Sequence, residues 1–132
     1  MTTYPARFIS VSIDRDAREV YDFAAEPTNF PKWASGLASG VEKAGDDWTA
    51  EGPDGPIRIR FSPPNEFGVL DHVVTLSSGV EVLIPLRIVT NGGGCEVTLT
   101  LFQTPGVSDE AFETDAEWVQ SDLRALKSLM ES

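Results

Sequence analysis

The sequence predicts an α+β domain in which an antiparallel sheet carries one long C-terminal helix on its apolar face. Three observations predict it. Phe112, Ala116, Val119, Leu123, Leu126 and Met130 recur at alternating spacings of about four and three residues, which puts one apolar stripe on a single helix. Between Val41 and Gln103, short apolar and polar alternations are separated by turn clusters, the pattern of successive hairpins. Neither a striped helix nor a half-apolar sheet is stable with its apolar side in water, so each covers the other.

The elements follow in order. Arg7 to Ile13 alternates Ile9, Val11 and Ile13 against Phe8, Ser10 and Ser12, the period of a first strand. Asp16 with Glu19 forms a capping-box signature, and Val20, Tyr21, Phe23 and Ala24 give a short helix its apolar side before Pro27 stops it. Glu26-Pro27-Thr28-Asn29-Phe30-Pro31-Lys32-Trp33 reads as a turn into a second short helical piece, closed by Ala34-Ser35-Gly36, with Trp33 packed inward. Turns at Gly45-Asp46-Asp47, Gly52-Pro53-Asp54-Gly55, Ser62-Pro63-Pro64-Asn65, Ser77-Ser78-Gly79 and Asn91-Gly92-Gly93-Gly94 then bound strands near 41–45, 47–51, 56–62, 67–76, 80–90 and 94–103. Thr104-Pro105-Gly106 leads to Ser108 as N-cap of the long helix, with Val107 and Phe112 at the positions of a hydrophobic staple. Asp109 and Glu110 complement the positive helix end, and Arg124 and Lys127 suit the other.

Composition narrows the function classes. At 132 residues, with 41% hydrophobic and 23% charged residues, the chain fits a single domain spanning 1–132 with one core. Acids outnumber bases 21 to 10, and the net charge of -11 repels phosphate backbones and anionic membranes, so neither nucleic acid nor membrane is expected as a partner. The first residues, Met1-Thr2-Thr3-Tyr4-Pro5-Ala6-Arg7, have no basic or apolar export pattern, which leaves the cytoplasm as the expected location. Cys95 is the only cysteine and His72 the only histidine, so neither an internal disulfide nor a metal site is expected, and no cofactor motif appears.

The order of strand, two short helices, six strands and long helix resembles the Bet v 1-like, START-like (SRPBCC) superfamily, in particular its bacterial polyketide cyclase/dehydrase-like branch. The residues that carry the resemblance are Val20-Tyr21-Asp22-Phe23, Glu26-Pro27, Pro31-Lys32-Trp33, Gly68-Val69-Leu70-Asp71-His72, Pro85-Leu86-Arg87 and Thr100-Leu101-Phe102. The resemblance implies a helix-grip fold, a curved seven-stranded antiparallel sheet wrapped around the C-terminal helix, with a largely apolar cavity between them. It does not imply one activity, because lipid carriers, cyclases, hydroxylase domains and chaperone regulators share that fold.

Candidate site residues follow from strand parity. His72 shares a face with Leu70, Val74 and Leu76, so its imidazole is either a neutral cavity group or a core histidine tied to a backbone carbonyl. Arg87 lies outside by simple alternation with Val82, Ile84, Leu86 and Ile88 inside, where it pairs with Glu81, Glu96 or Asp71; a bulge at Pro85 would turn it inward. Tyr21 and Trp33 are amphipathic aromatics placed to line a ligand site or the core. Asp71, next to His72, points to the opposite face and does not orient it, and Cys95 packs as a small hydrophobe on the face of Val97, Leu99 and Leu101. On the last helix, Glu113, Glu117 and Asp122 read as solvated surface, while Trp118, Leu123 and Leu126 bound the ligand space and Phe112 and Val119 seal the core.

The leading expectation is a non-catalytic or weakly catalytic carrier that binds a small hydrophobic or amphipathic molecule, a lipid included, between the sheet and the long helix. Its ligand walls are Tyr21, Trp33, Leu70, His72, Val74, Ile84, Leu86, Val97, Leu99, Trp118, Leu123 and Leu126. The enzymatic alternative is a polyketide-type cyclase or dehydratase, in which His72 removes a proton beside a carbonyl while Tyr21 or Arg87 stabilises the enolate oxygen. A third class is an interaction module, monomer or homodimer, using Leu83, Val89 and Phe102 on the outer sheet face.

Overall fold

A computed structural model describes residues 2–37 and 40–132. β1 (Ala6–Ile13) alternates as expected, burying Ile9 and Ile13 and exposing Phe8 and Ser10. Asp16 caps α1 (Ala17–Ala25) by accepting from Arg18 N at 3.0 Å, while Glu19 turns to Arg15 Nε at 2.7 Å instead of closing the capping box. The second short helical piece is a 3-10 segment, Pro27–Lys32, followed by a 3-10 turn at Ser35–Leu37. Pro27 starts the first segment, and Pro31 inside it has no N–H to continue an α-helical ladder.

The strands that follow are β2 (Val41–Ala44), β3 (Asp47–Gly52), β4 (Gly55–Phe61), β5 (His72–Thr75), β6 (Glu81–Ile84), β7 (Leu86–Asn91) and β8 (Gly94–Phe102), all paired antiparallel. α2 (Asp109–Glu131) starts at Ser108, whose hydroxyl accepts from Ala111 N at 3.1 Å. Its stripe is buried as the spacing predicts at Phe112, Ala116, Leu123, Leu126 and Met130, and the helix lies across β1 and β8. Arg15 Nη1 donates to the carbonyl of Met130 and Lys127 Nζ to that of Ser12, which ties the C-terminal end of the helix to the end of β1.

One sheet of seven strands is not what forms. Among the described residues, eight strands make two sheets, a three-stranded β1-β8-β7 and a five-stranded β2-β3-β4-β5-β6. The expected strand over 80–90 is cut in two at Pro85, which has no N–H to give to a ladder. The next donor, Leu86 N, leaves the ladder as well and donates to Asp71 Oδ1 at 2.9 Å. The expected strand over 67–76 is cut opposite the same point. Its C-terminal part, β5, pairs with β6, while its N-terminal part runs beside β7 through Leu70 N to Leu86 O at 2.8 Å and Ile88 N to Gly68 O at 2.9 Å. Side-chain parity survives the break, with Ile84 half-buried and Leu86 and Ile88 buried on the inner side and Arg87 exposed on the outer.

Gly68 sits at the closest approach in this joint. Its φ is +71°, and a Cβ there would stand 2.0 Å from the carbonyl oxygen of Ile88. Gly68→Ala is therefore expected to cost at least about 2 kcal/mol of folding stability, while Gly93→Ala, in open space, stays within about 0.5 kcal/mol. Urea unfolding of the two variants checks the contrast, and equal stabilities would contradict the packing of residues 68–70 against β7.

Candidate functional site

Between the five-stranded sheet and α2 lies an apolar pocket of about 220 Å³. Strand register builds its floor. Phe61, His72 and Ile84 stand directly opposite one another across β4, β5 and β6, and Ile59 opposes Val74 in the next inward row. Period-two alternation puts Ile57, Ile59 and Phe61 on this floor while Arg58 and Arg60 face solvent. The 3-10 segments supply Phe30, Trp33, Ala34, Gly36 and Leu37 as one wall, and α2 supplies Trp118, Val119, Asp122 and Leu123 as the other.

The inner end is aromatic. Phe30 stacks on Phe61 with centroids 5.0 Å apart, meets Trp33 at 4.9 Å, and both phenyl rings contact His72, at 5.9 and 5.7 Å. His72 Nδ1 lies 3.0 Å from the carbonyl of Leu70. A carbonyl only accepts, so Nδ1 carries the proton and Nε2 of the neutral ring is a bare acceptor, with no donor near it among the described residues. Burial among the rings lowers the His72 pKa from its ordinary value, against the opposing pull of the Leu70 carbonyl. The Trp33 indole N–H is buried and has no partner among the described residues.

The outer end is polar on one side. Trp118 Nε1 donates to Ser35 Oγ, which donates in turn to Asp122 Oδ1 at 2.8 Å, and Ser35 N reaches the same oxygen at 3.2 Å. Burial pushes the Asp122 carboxyl above its usual range, partly offset by the two Ser35 hydrogen bonds. Asp122 was expected on the solvated side of the helix, but it stands one position before buried Leu123, and the Ser35–Leu37 turn folds over it.

Of the expected ligand walls, Trp33, His72, Val74, Ile84, Leu86, Leu99, Trp118 and Leu123 line this pocket. Tyr21, Leu70, Val97 and Leu126 do not; they are buried in the core away from it. Val119 and Leu126 thus exchange the duties expected of them, because Val119 lies on the turn of α2 that faces β4 to β6 while Leu126 falls in the tight part of the core.

The three residues considered for catalysis do not share a cavity. Arg87 stays on the outer face, its Nε and Nη2 on the Asp71 carboxylate at 2.9 and 2.7 Å, and this pairing holds the Asp71 pKa below its usual range. The Tyr21 hydroxyl accepts from Asn65 N at 3.1 Å. Cys95 is 1% exposed and its thiol is pushed up by burial, which suits a packing role. Sequence reasoning missed Phe30, Ile57, Ile59, Phe61 and Asp122. The alternation of β4 was a usable signal for three of them, whereas nothing local marks Phe30 or Asp122.

Among the described residues, no group of three or more His, Cys, Asp or Glu side chains is placed to hold a metal ion, and no helix is long and apolar enough to cross a membrane. Leu83 and Val89 are 52% and 54% exposed, whereas Phe102 is half-buried, so the outer-face trio does not form one exposed cluster.

No family model and no curated protein matches the chain. Solved structures do. The Bacillus cereus protein XoxI superposes with a TM-score of 0.75 at 16% identity, covering 95% of this chain and 94% of that one. DynU16, from the dynemicin biosynthetic locus, gives 0.75 at 15% identity over 96% of this chain, which spans 47% of DynU16. A START superfamily protein from Mycobacterium smegmatis gives 0.73 at 11% identity, over 96% of this chain and 97% of that one. The chain has the START-like, Bet v 1-like fold.

His72 gives the pocket a pH signature. Its folded pKa lies below the ordinary value near 6.5, so the unfolded chain takes up the proton first as pH falls. The stability contributed by the neutral ring is whole above that value and is lost as pH falls through the folded pKa. Asp122, raised by burial, acts with the opposite sign and cannot produce that loss. Melting temperature is thus expected to drop between about pH 7 and pH 5. His72→Gln should flatten that drop, and an unchanged slope in the variant would contradict the buried, neutral imidazole.

Proposed function

We propose that the chain binds a small ring-containing hydrophobic or amphipathic molecule in the pocket between the five-stranded sheet and α2, and carries it rather than transforming it. The observation that supports this most directly is the pocket itself: about 220 Å³, walled mostly by aliphatic and aromatic side chains, with hydrogen-bonding groups at only a few points. An apolar cavity of roughly 150 Å³ holds benzene, and pockets for drug-sized ligands run from roughly 300 Å³ upward. The volume therefore favours one or two fused rings over a long acyl chain, which narrows the broader expectation of lipid binding. His72 Nε2 would accept from a ligand hydroxyl or N–H.

The cyclase or dehydratase reading asks for a base and an oxyanion-stabilising group on one substrate. With Arg87 held by Asp71 and Tyr21 by Asn65, His72 keeps neither of its expected partners, so the geometry favours carriage.

Two tests bear on the proposal. 2-Naphthol, neutral near pH 7 and carrying one hydroxyl, is expected to bind with chemical-shift changes confined to residues around the pocket. Val74→Phe, which adds a ring to a half-buried wall position, should weaken it at least about tenfold while the fold is kept. Native mass spectrometry of protein purified from its own host is expected to show a bound small molecule. Absence of any ligand there, together with 2-naphthol binding that Val74→Phe leaves intact, would overturn the assignment.

A further inference from the structure

We infer that the ligand of this pocket is an organic amine, its rings among Phe30, Phe61 and Trp33 and its ammonium group against Asp122; the inference rests on the ligand-binding reading above. Charge is the first argument. Among the described residues, Asp122 is the one acidic side chain that lines the pocket, and neither Lys nor Arg lines it. The nearest candidate by sequence, Lys32, stands instead over the ring of Phe23 at 5.9 Å.

The state of Asp122 is the second argument. It makes no ion pair with a described residue. Oδ1 is taken by Ser35, and Oδ2 has no hydrogen-bond partner among the described residues. A carboxylate that borders an apolar cavity, partly desolvated and without a counter-charge, is stabilised by a cation brought to it and destabilised by an anion. Burial already disfavours its charged form, which an ammonium neighbour would restore.

The walls supply the third argument. Trp118, 43% exposed, stands at the rim through its hydrogen bond to Ser35, so a cation beside Asp122 meets an indole ring and keeps part of its hydration. Deeper in, the stacked Phe30 and Phe61 offer apolar faces to a ring system. The net charge of -11 raises the local concentration of cations and lowers that of anions around the whole molecule. A carboxylic acid of the same skeleton would enter against both fields.

The experiment compares three probes that share one bicyclic body: tryptamine, tryptophol and indole-3-acetate, titrated calorimetrically at pH 7 and low ionic strength. Tryptamine is expected to bind at least about fivefold tighter than tryptophol, and indole-3-acetate weaker than tryptophol. Added sodium chloride should weaken tryptamine and leave tryptophol nearly unchanged. Asp122→Asn, which keeps an acceptor for Ser35, should bring tryptamine to within about twofold of tryptophol. Tryptophol or indole-3-acetate binding as tightly as tryptamine would overturn the amine assignment alone, as would an amine preference that persists in Asp122→Asn. Failure of all three to bind would overturn the pocket reading and this inference together.

Discussion

Burial of the apolar stripe of α2 is the constraint on which the rest of the structure depends. Leu123 and Leu126 are both 0% exposed, and each contributes about 2 kcal/mol by leaving water. The helix can bury that stripe only against a curved surface, and β1 and β8 provide the tight part of it. Toward β4, β5 and β6 the helix and the sheet diverge. The 3-10 segments at 27–37 fill part of that gap with Phe30 and Trp33, and what they leave unfilled is the pocket. The cavity is thus a consequence of where close packing stops.

A second constraint sits where the two sheets meet. Asp71 receives Leu86 N–H, which Pro85 has displaced from the ladder, and also holds the Arg87 guanidinium. Arg87 is more than half exposed, so solvent screening limits the ion pair itself to less than about 1 kcal/mol. The larger effect is positional. With Leu86 N–H satisfied by a side chain, the chain passes the proline without a change of parity, and Ile84 and Leu86 both stay on the pocket side. Gly68 allows the backbone of residues 68–70 to lie close against β7, which carries the strand path across the break.

The likeness to structures at 11–16% identity extends over nearly the whole chain, yet no sequence family matches. That combination is expected when a fold is maintained by pattern rather than by particular residues, because many apolar side chains of similar volume satisfy the same strand face or helix stripe. Function therefore lies in the side chains of the pocket rather than in the fold. In this chain that pocket is defined by the aromatic cluster of Phe30, Trp33, Phe61 and His72 and by the chain of Trp118, Ser35 and Asp122 at its mouth.

Local spacing and capping residues determined the α+β class, the extent of α2 with its cap at Ser108, and the inward faces of β1, β7 and β8, because spacing dictates which side of an element is apolar; simple alternation put Arg87 outside but left a parity switch at Pro85 open, which the structure closed. Eight of the twelve side chains expected as ligand walls line the apolar pocket. Tertiary structure decided the rest. The split into two sheets required Asp71 and Leu86 to meet across fifteen positions. Asp122 became a pocket residue because Ser35, eighty-seven positions earlier, folds onto it. Phe30 joined Phe61 and His72 only through the docking of a 3-10 segment against the sheet. Contacts at such separations leave no trace in the spacing of neighbouring residues, so hydropathy patterns reveal which faces are buried but not whether they close on each other or on a ligand.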